Sequence, residues 1–277
     1  MPSIEANSGD RSTSRHDTLS SLDSALLFAG ASTGTDLSSV STNVLLSLVA
    51  ETARPQAPQA RVVAITQGQV IFDAGRPMRH VYFPDSGAIS LVAPLNTGRM
   101  IEVGSIGREG MVGLSVALGS GVADFQAVGQ LKGEATRIPS TVFLALLRES
   151  RPLRKVLMRY ADLFLAQAQQ SAVCQASHRI DQRCACWLLV AHDRFGHDDL
   201  PITHDFLAMM LGVRRAGVTI ALGVLRHAGC IGHGRMVIRI ADRSALERSS
   251  CDCYHLLRAN LGRILAADAP PTADERA

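Results

Sequence analysis

The first 173 residues of this 277-residue chain contain no cysteine. All six cysteines lie beyond that point: Cys174, Cys184, Cys186, Cys230, Cys251 and Cys253. Four of them form two C-x-C pairs, which lack the two-residue spacing typical of zinc knuckles and thioredoxin-like sites. We therefore predict no metal site, and we expect Cys184 and Cys186 to pack as small hydrophobic side chains in an apolar helix. The sequence leaves open whether either pair has a redox or metal role.

Long apolar runs are also missing, since none approaches the roughly 20 residues of a membrane-spanning helix. The N-terminus lacks the order of a signal peptide, because Ser, Asp, Arg and His interrupt it throughout. We therefore expect a cytoplasmic protein without a membrane partner, whose cysteines are reduced. The motifs of serine hydrolases, zinc proteases and phosphate-binding loops are absent as well, so we predict no enzyme and no catalytic residue.

Acidic residues are absent from one long segment. The net charge of the whole chain is only +3, which would not by itself indicate a nucleic-acid partner. No Asp or Glu occurs between Asp205 and Asp242, however, whereas five arginines do: Arg214, Arg215, Arg226, Arg235 and Arg239. Such a segment favours contact with a phosphate backbone.

The composition is that of a folded chain, with 47% hydrophobic and 19% charged residues. Residues 1–42 differ, because 16 of them are Ser or Thr and their periodicity is weak, which predicts a flexible tail. A short helix is expected near residues 43–52. From about 58 to 140, short apolar segments alternate with glycines, which favours a small barrel or jelly roll. The predicted strands span residues 61–66, 69–72, 80–83, 88–94, 100–105 and 134–138.

A long helix is predicted over residues 153–178. Seven of its residues are spaced alternately four and three apart: Leu153, Leu157, Tyr160, Phe164, Gln167, Ser171 and Cys174. This spacing is typical of a coiled-coil seam, but over so short a length an ordinary core helix gives nearly the same pattern. The apolar first half therefore either packs on the β region or forms a dimer seam.

A helix-turn-helix motif is predicted between about residues 204 and 228. Thr203 is a suitable N-cap, and apolar residues follow at the diagnostic spacing. Ala208 stands where the two helices must approach closely. Gly212 stands in the turn, where a left-handed φ favours glycine. Gly229 is expected to end the second helix.

The second helix would present its leading residues to the major groove of DNA. These residues are Arg214, Arg215, Ala216, Thr219 and Ile220. Arg215 is suited to bidentate recognition of guanine, and Thr219 and Ile220 to contact with a thymine methyl group. Arg214 and Arg226 are expected to contact phosphates, which position a protein without specifying sequence. Residues 231–240 predict a two-stranded wing with Arg235 near its tip.

Three segments resemble the Crp-Fnr (catabolite activator and fumarate-nitrate regulator) superfamily of transcriptional regulators. They are Gly75-Arg-Pro-Met-Arg-His-Val-Tyr-Phe-Pro-Asp-Ser-Gly87, Gly107-Arg-Glu-Gly-Met-Val-Gly113 and Leu207-Ala-Met-Met-Leu-Gly-Val-Arg-Arg215. The resemblance covers about residues 43–255. It implies an α+β fold with an N-terminal cyclic-nucleotide-binding-like β-roll (jelly roll), a long dimerisation helix and a C-terminal winged helix-turn-helix. It also implies a signal-responsive homodimer, with double-stranded DNA as partner and RNA polymerase as a further candidate.

On this basis we divide the chain into five parts. They are a disordered tail over 1–42, a β-roll sensor domain over 43–150, a dimerisation helix over 151–180, a winged helix-turn-helix domain over 181–258 and a C-terminal tail over 259–277.

The chain departs from cyclic-AMP-binding members of the superfamily at the effector site. Where the resemblance implies a ribose-binding glutamate after Gly113, this chain has Leu114. Where it implies a phosphate-binding Arg-Ser pair, the chain has Asp124 and Phe125. An aspartate would repel a phosphate, so we predict no tight binding of cyclic AMP.

The identity of any other effector is left open. The iron-sulfur cluster of the oxygen-responsive branch uses N-terminal cysteines, and this chain has none there. His80 is the single histidine of the β region, which gives little support to haem. Arg99 and Arg108 flank glycines on β-roll loops and are the candidate contacts for an anionic effector, such as a cyclic dinucleotide.

Two alternatives remain. The β-roll could be a ligandless platform in a ligand-independent regulator, or the chain could be a regulatory or scaffolding module that does not bind DNA. The DNA sequence that known members recognise cannot be assigned to this chain, because Ala216 replaces a glutamate and Ile220 replaces an arginine of their recognition helices. A cupin-type metal enzyme is disfavoured because the β region has no His-x-His spacing.

Overall fold

The computed structural model describes residues 41–50, 59–95, 100–232, 234 and 236–266. The N-terminal part contains α1 (Val44–Ala50), β1 (Arg61–Ile65), β2 (Val70–Phe72), β3 (His80–Pro84), β4 (Ala88–Pro94), β5 (Met100–Ile106), α2 (Leu114–Leu118), β6 (Gln126–Leu131), β7 (Gly133–Pro139) and α3 (Ser140–Glu149). The long helix α4 (Arg151–Ser177) follows. The C-terminal part contains α5 (Ile180–Phe195), β8 (Asp199–Leu200), α6 (His204–Leu211), α7 (Arg215–His227), β9 (Ile231–Gly232), β10 (Ile238–Ile240), α8 (Arg243–Ser249) and α9 (Cys253–Ala266).

Two antiparallel sheets form the predicted β-roll, with strand orders β1-β7-β3 and β2-β6-β4-β5. The predicted strands are all observed, and their ends shift by about one residue. Aromatic side chains fill part of the core, where Phe83 meets Phe143 edge to face at 5.8 Å between ring centroids. Strand and helix are thus held together by apolar side chains that the alternating pattern places inward.

Strand β6 is an addition to the predicted fold. Gln126, Gly129 and Gln130 interrupt its apolar pattern, so this strand was not predicted from the sequence. The structure explains the glycine, because a Cβ at position 129 would lie 2.1 Å from the carbonyl oxygen of Thr66. Close approach of two backbones therefore requires glycine at this point.

Helix α4 is the predicted long helix, and it starts at a well-formed cap. The side chain of Ser150 accepts a hydrogen bond from the backbone N–H of Leu153, as expected of an N-cap. Leu153, Leu157 and Tyr160 are buried against the β-roll and α3 in one cluster. The hydroxyl of Tyr160 also donates to the carbonyl oxygen of Met111 at 3.0 Å. Of the two predicted roles for this stripe, the structure therefore shows packing on the β region.

The core of the C-terminal part is formed by α5 to α9 and a small sheet of order β8-β10-β9, and Ala88 and Leu131 of the β-roll pack into it. The predicted wing is observed as β9 and β10, but β8 adds a third strand that pairs Leu200 with Ile238. Cys184 and Cys186 are buried on α5, as expected of small apolar side chains. Helix α9 extends to Ala266, so the first residues of the predicted tail 259–277 are helical.

The predicted tail over residues 1–42 falls almost wholly on residues 1–40, outside the described part. Its last two residues are anchored to the β-roll. The hydroxyl of Ser41 donates to Asp85 Oδ1 at 2.6 Å, and the backbone N–H of Thr42 donates to the same atom at 2.8 Å. Ser41 and Thr42 therefore belong to the β-roll domain rather than to the predicted tail.

Within the described residues, no single helix has the length and hydropathy to cross a membrane. The helices α6 and α7 meet the length and composition test only together, and they are bent by 105° at the break between them.

Candidate nucleic-acid interface

Helices α6 and α7 form the predicted helix-turn-helix. The hydroxyl of Thr203 accepts from the backbone N–H of Phe206 at 3.2 Å and caps α6. Gly212 ends this helix with φ 66°, and a Cβ at position 212 would lie 2.5 Å from Cδ1 of Ile101. The backbone conformation therefore favours glycine, and a larger residue would also have to displace the side chain of Ile101. The 105° bend after Gly212 is the geometry of a helix-turn-helix.

Helix α7 has one buried face and one exposed face. Val218, Ala221, Leu222 and Leu225 are buried in the core of the C-terminal part. The five residues predicted to face DNA are all exposed: Arg214, Arg215, Ala216, Thr219 and Ile220. The structure thus places this predicted set together on one accessible surface, which we call the α7 outer face.

The α7 outer face is oriented by contacts with the start of α6. His204 Nδ1 lies 3.1 Å from the hydroxyl of Thr219, and that hydroxyl donates to the carbonyl oxygen of Arg215 at 3.1 Å. Arg215 Nε lies 3.3 Å from Asp205 Oδ1, with 68% and 70% of the two side chains exposed. A pair this exposed contributes little stability and leaves Arg215 free to change partner. This pair was not predicted from the sequence, because Asp205 lies just outside the acid-free segment that contains Arg215.

The remaining predicted contacts occupy different environments. Arg214 precedes the first turn of α7, which no side chain of the described residues caps. Uncapped N–H groups at the start of a helix suit a phosphate oxygen. Arg226 is half-buried, and within the described residues its Nε has no hydrogen-bond partner. Arg239 is paired with Asp199 through two bonds of 2.5 and 2.7 Å. Arg235 lies outside the described residues.

A cavity of about 200 Å³ lies in the β-roll. It brings together the positions that the sequence analysis singled out, because Leu114, Asp124 and Phe125 all line it. Most of its other lining is apolar, including Phe72 and Phe164. Within the described residues, no basic side chain lines this cavity. It therefore offers no cationic group to a phosphate.

The predicted effector contacts are not in this cavity. Arg108 is exposed on the loop after β5 and lines a different cleft, between this loop and α9. Arg99 lies outside the described residues. His80 is half-buried at the start of β3, where desolvation, with the charges of Arg137 and Arg79, lowers its pKa.

Comparison with known proteins identifies both parts of the chain. Residues 62–150 match the cyclic nucleotide-binding domain family, and residues 182–249 match the Crp-like helix-turn-helix domain family. The chain belongs to the Crp-Fnr superfamily of transcriptional regulators. It is therefore a DNA-binding regulator, and α6 and α7 lie within its Crp-like helix-turn-helix domain.

The proteins similar to this Crp-Fnr protein include a nitrogen regulator and a CRP-family transcriptional regulator. The Global nitrogen regulator of Synechococcus elongatus is 24% identical over 215 residues, which cover 74% of this chain and 96% of that protein. A CRP-family transcriptional regulator from Thermus thermophilus has 18% identity and a TM-score of 0.59, covering 68% of this chain and 96% of its own. FixK2 from Bradyrhizobium japonicum has 17% identity and a TM-score of 0.57, covering 70% and 98%. These likenesses between structures show a common fold.

In this Crp-Fnr protein, α5 and α6 of the C-terminal part pack on the β-roll. The indole N–H of Trp187 on α5 donates to Glu102 Oε1 on β5 at 3.0 Å. The amide of Gln130 donates to Glu102 Oε2 at 3.1 Å, and the hydroxyl of Ser90 donates to the same oxygen. Burial raises the pKa of Glu102 from 4.5 to about 7, although the hydrogen bonds from Ser90 and Trp187 lower it. We call these contacts the Glu102 junction.

A second polar contact lies beside the Glu102 junction. Arg194 at the end of α5 pairs with Glu109 of the β5 loop, and only 11% and 15% of their side chains are exposed. Arg194 also donates to the hydroxyl of Ser105 at 2.5 Å and to its carbonyl oxygen at 3.0 Å. Glu109 in turn accepts from the backbone N–H of Gly107 at 2.9 Å. Both charges are thus fully engaged between the β-roll and the C-terminal part.

Proposed function

We propose that this regulator binds a two-fold symmetric DNA site as a homodimer, with α7 of each protomer in the major groove. The exposed and basic α7 outer face, held by a buried opposite face, is the observation that supports this function. Two recognition helices related by a two-fold axis would contact half-sites about 34–36 Å apart. RNA polymerase stays a predicted partner.

Specific roles on the α7 outer face follow from position and chemistry. We propose that Arg215 recognises a guanine, since its guanidinium is exposed and its ion pair with Asp205 is exchangeable in water. The methyl group of Thr219 and the side chain of Ile220, which is 69% exposed, suit a thymine methyl. Arg214 would contact phosphate. Arg226 stays a predicted phosphate contact, although it is half-buried at the far end of α7.

The dimer seam would lie on the outer side of α4 rather than on the stripe that packs on the β-roll. Exposed residues there repeat at spacings of four and three: Met158, Asp162, Leu165, Gln169, Ala172 and Ala176. Met158 and Leu165 are the large apolar members of this stripe, and they are 55% and 57% exposed. A second copy of α4 would cover this stripe in a coiled coil.

The β-roll would carry a signal other than cyclic AMP. Phe164 of α4 lines the β-roll cavity, and its ring would lie 3.2 Å from a Cβ at Gly104 on β5. Glu102, which holds Trp187, is two residues from Gly104 on the same strand. We propose that occupancy of the cavity is transmitted through Phe164 and β5 to the C-terminal part. The small, mostly apolar lining suits a small apolar effector. The alternative is a ligand-independent regulator in which the cavity binds nothing.

In vitro selection from random DNA, combined with analytical ultracentrifugation, tests this proposal. We expect enrichment of sequences with two-fold symmetry, bound by two chains, with an affinity that falls as salt rises because phosphate contacts release counterions. Recovery of no enriched sequence, or salt-independent binding, would favour the scaffolding alternative. Enrichment of single half-sites by one chain would contradict the dimer but not DNA binding.

A further inference from the structure

Four potential metal ligands converge where the long helix meets the C-terminal part. The Sγ atoms of Cys174, Cys251 and Cys253 and a ring nitrogen of His178 all lie within 4.8 Å of one another. Cys251 and Cys253 are buried, whereas Cys174 and His178 are half-buried. We call this group the Cys3His cluster.

The elements around the cluster place its ligands. Cys174 lies in the last turn of α4, and His178 is the capping residue just after this helix, where its backbone N–H donates to the carbonyl oxygen of Cys174. Cys251 lies just before α9 and Cys253 begins it. Helix α9 packs along α4, which brings the second pair onto the first.

The distances in the cluster fit a single tetrahedral ion. Cys174 Sγ lies 3.5 Å from Cys251 Sγ, and Cys253 Sγ lies 3.5 Å from His178 Nδ1. Zinc binds thiolate sulfur at about 2.3 Å and imidazole nitrogen at about 2.0 Å, so its tetrahedral ligand atoms lie about 3.5 to 3.8 Å apart. The four atoms therefore need little movement to surround one ion.

We propose that Cys174, His178, Cys251 and Cys253 bind one zinc ion, which joins the end of α4 to the start of α9. Three thiolates and one imidazole form a common donor set of structural zinc sites. A cubane iron-sulfur cluster fits less well, because each of its ligands binds a different iron and the sulfurs must stand farther apart.

A neighbouring side chain supports the assignment of Cys253 as a ligand. The amide of Gln170, one turn before Cys174 on α4, donates to Cys253 Sγ at 3.0 Å. Such a bond stabilises thiolate sulfur and orients it toward the metal. The thiol of Cys186 is close to Cys174 and Cys251 but is not one of the four. A Cys186 variant therefore tests the ligand set, because it removes a thiol beside the cluster and leaves the four proposed ligands in place.

Bound zinc would fix the C-terminal part to the helix that we propose for dimerisation. The ion would bridge residues 77 positions apart in the chain, and metal binding would add its free energy to folding of this joint. The spacing of the α7 outer faces in a dimer depends on this joint. The site thus deepens the proposed function, but zinc binding itself does not require that the protein bind DNA.

The test measures metal in the full-length chain purified without chelators, by inductively coupled plasma mass spectrometry. We expect about one zinc ion per chain. Co²⁺ added to the stripped protein should produce the intense visible absorption of tetrahedral cobalt and a sulfur-to-cobalt charge-transfer band. Cys174→Ser, Cys251→Ser and Cys253→Ser should each weaken Co²⁺ binding by at least about tenfold, and Gln170→Ala by about tenfold.

Matched controls separate the cluster from other thiols of the same domain. Cys184→Ser, Cys186→Ser and Cys230→Ser should retain one zinc ion, since these residues lie outside the group of four. Loss of metal in Cys186→Ser but not in His178→Ala would overturn the ligand set. A wild-type chain that contains no stoichiometric zinc and does not bind Co²⁺ tetrahedrally would overturn the site.

A measurement on the wild-type chain avoids variants that fail to fold. With zinc bound, the thiols of Cys174, Cys251 and Cys253 should resist alkylation by iodoacetamide, and chelation should expose all three. Cys184 and Cys230, which are buried away from the cluster, should react equally in both states. Equal reactivity of the three ligand thiols before and after chelation would contradict the proposal.

Discussion

The two faces of the C-terminal domain differ in burial and in chemistry. Toward the β-roll it presents Trp187 and Arg194, whose polar atoms are bonded to Glu102 and Glu109. Its α7 outer face is exposed, and the ion pair of Arg215 with Asp205 on this face is exposed as well. The buried face holds its partners within the chain, whereas the outer face keeps its arginines available for a partner from outside. One small domain therefore packs on the β-roll and still keeps an exposed basic surface.

The largest effect is a loss of unfolding free energy, expected from Arg194→Ala in the contact between the C-terminal domain and the β-roll. Glu109 would remain half-enclosed without its partner, and breaking such a pair costs about 3–5 kcal/mol of unfolding free energy. Urea denaturation followed by circular dichroism measures this loss. Arg148→Ala is the matched control, because Arg148 is exposed on α3, and it should change stability by less than about 0.5 kcal/mol. Equal effects of the two variants would mean that the buried contact does not hold the domains together.

The Glu102 junction should make stability depend on pH. The raised pKa means that the folded protein retains a proton on Glu102 that the unfolded chain releases. This contribution is fully present below pH 4.5 and is lost as pH rises to about 7, with an upper limit of about 3 kcal/mol. Unfolding at pH 5 and pH 8, followed by the fluorescence of Trp187, measures it. Glu102→Gln should remove this component, and an unchanged pH dependence in that variant would show that Glu102 is already ionised in the folded protein.

The exposed outer side of α4 is the second surface for which we propose a partner, in this case a second copy of the chain. Leu165→Asp would place a charge at the centre of the proposed seam, and we expect the dimer dissociation constant to rise at least about tenfold, or about 1.4 kcal/mol. Sedimentation equilibrium measures this constant. Leu95→Asp changes an exposed leucine on a β-roll loop and should leave it unchanged. A wild-type chain that is monomeric, or a Leu165→Asp dimer as stable as wild type, would exclude this seam.

The smallest effect is expected at the β-roll cavity, where cyclic AMP should bind negligibly. Leu114 and Asp124 line the cavity, and among the described residues no cation there can neutralise a phosphate. Isothermal titration calorimetry should detect no tight complex, and the melting temperature should not rise with added cyclic AMP. A submicromolar dissociation constant would show that the cavity rearranges to supply the missing groups.

The helix-turn-helix was predictable because its determinants lie close together in the sequence. Thr203, Gly212 and Gly229 mark the ends of α6 and α7 within one short segment, and each acts through its own backbone or capping hydrogen bonds. The same was true of the β-roll strands bounded by glycines. Strand β6 was missed because polar residues interrupt it, and only its place between β2 and β4 makes it a strand.

Contacts between distant residues could not be predicted. Trp187 and Glu102 are 85 positions apart, and nothing local in either segment shows that they meet. The C-x-C pair at Cys251 and Cys253 gave no indication of a metal site, because its other ligands are on α4. The heptad stripe of α4 was visible, but a dimer seam and a β-roll contact have the same spacing, so the structure was needed to distinguish them.

DNA recognition depends most on the α7 outer face, and fluorescence anisotropy with a selected DNA site tests this dependence directly. Arg215→Ala should weaken binding by about 10- to 100-fold, equivalent to about 1–3 kcal/mol, and should reduce the preference for guanine at one position of each half-site. Arg148→Ala, which changes an exposed arginine on the β-roll, should bind like wild type. If Arg215→Ala binds as tightly and as selectively as the wild-type chain, the α7 outer face is not the surface that recognises DNA.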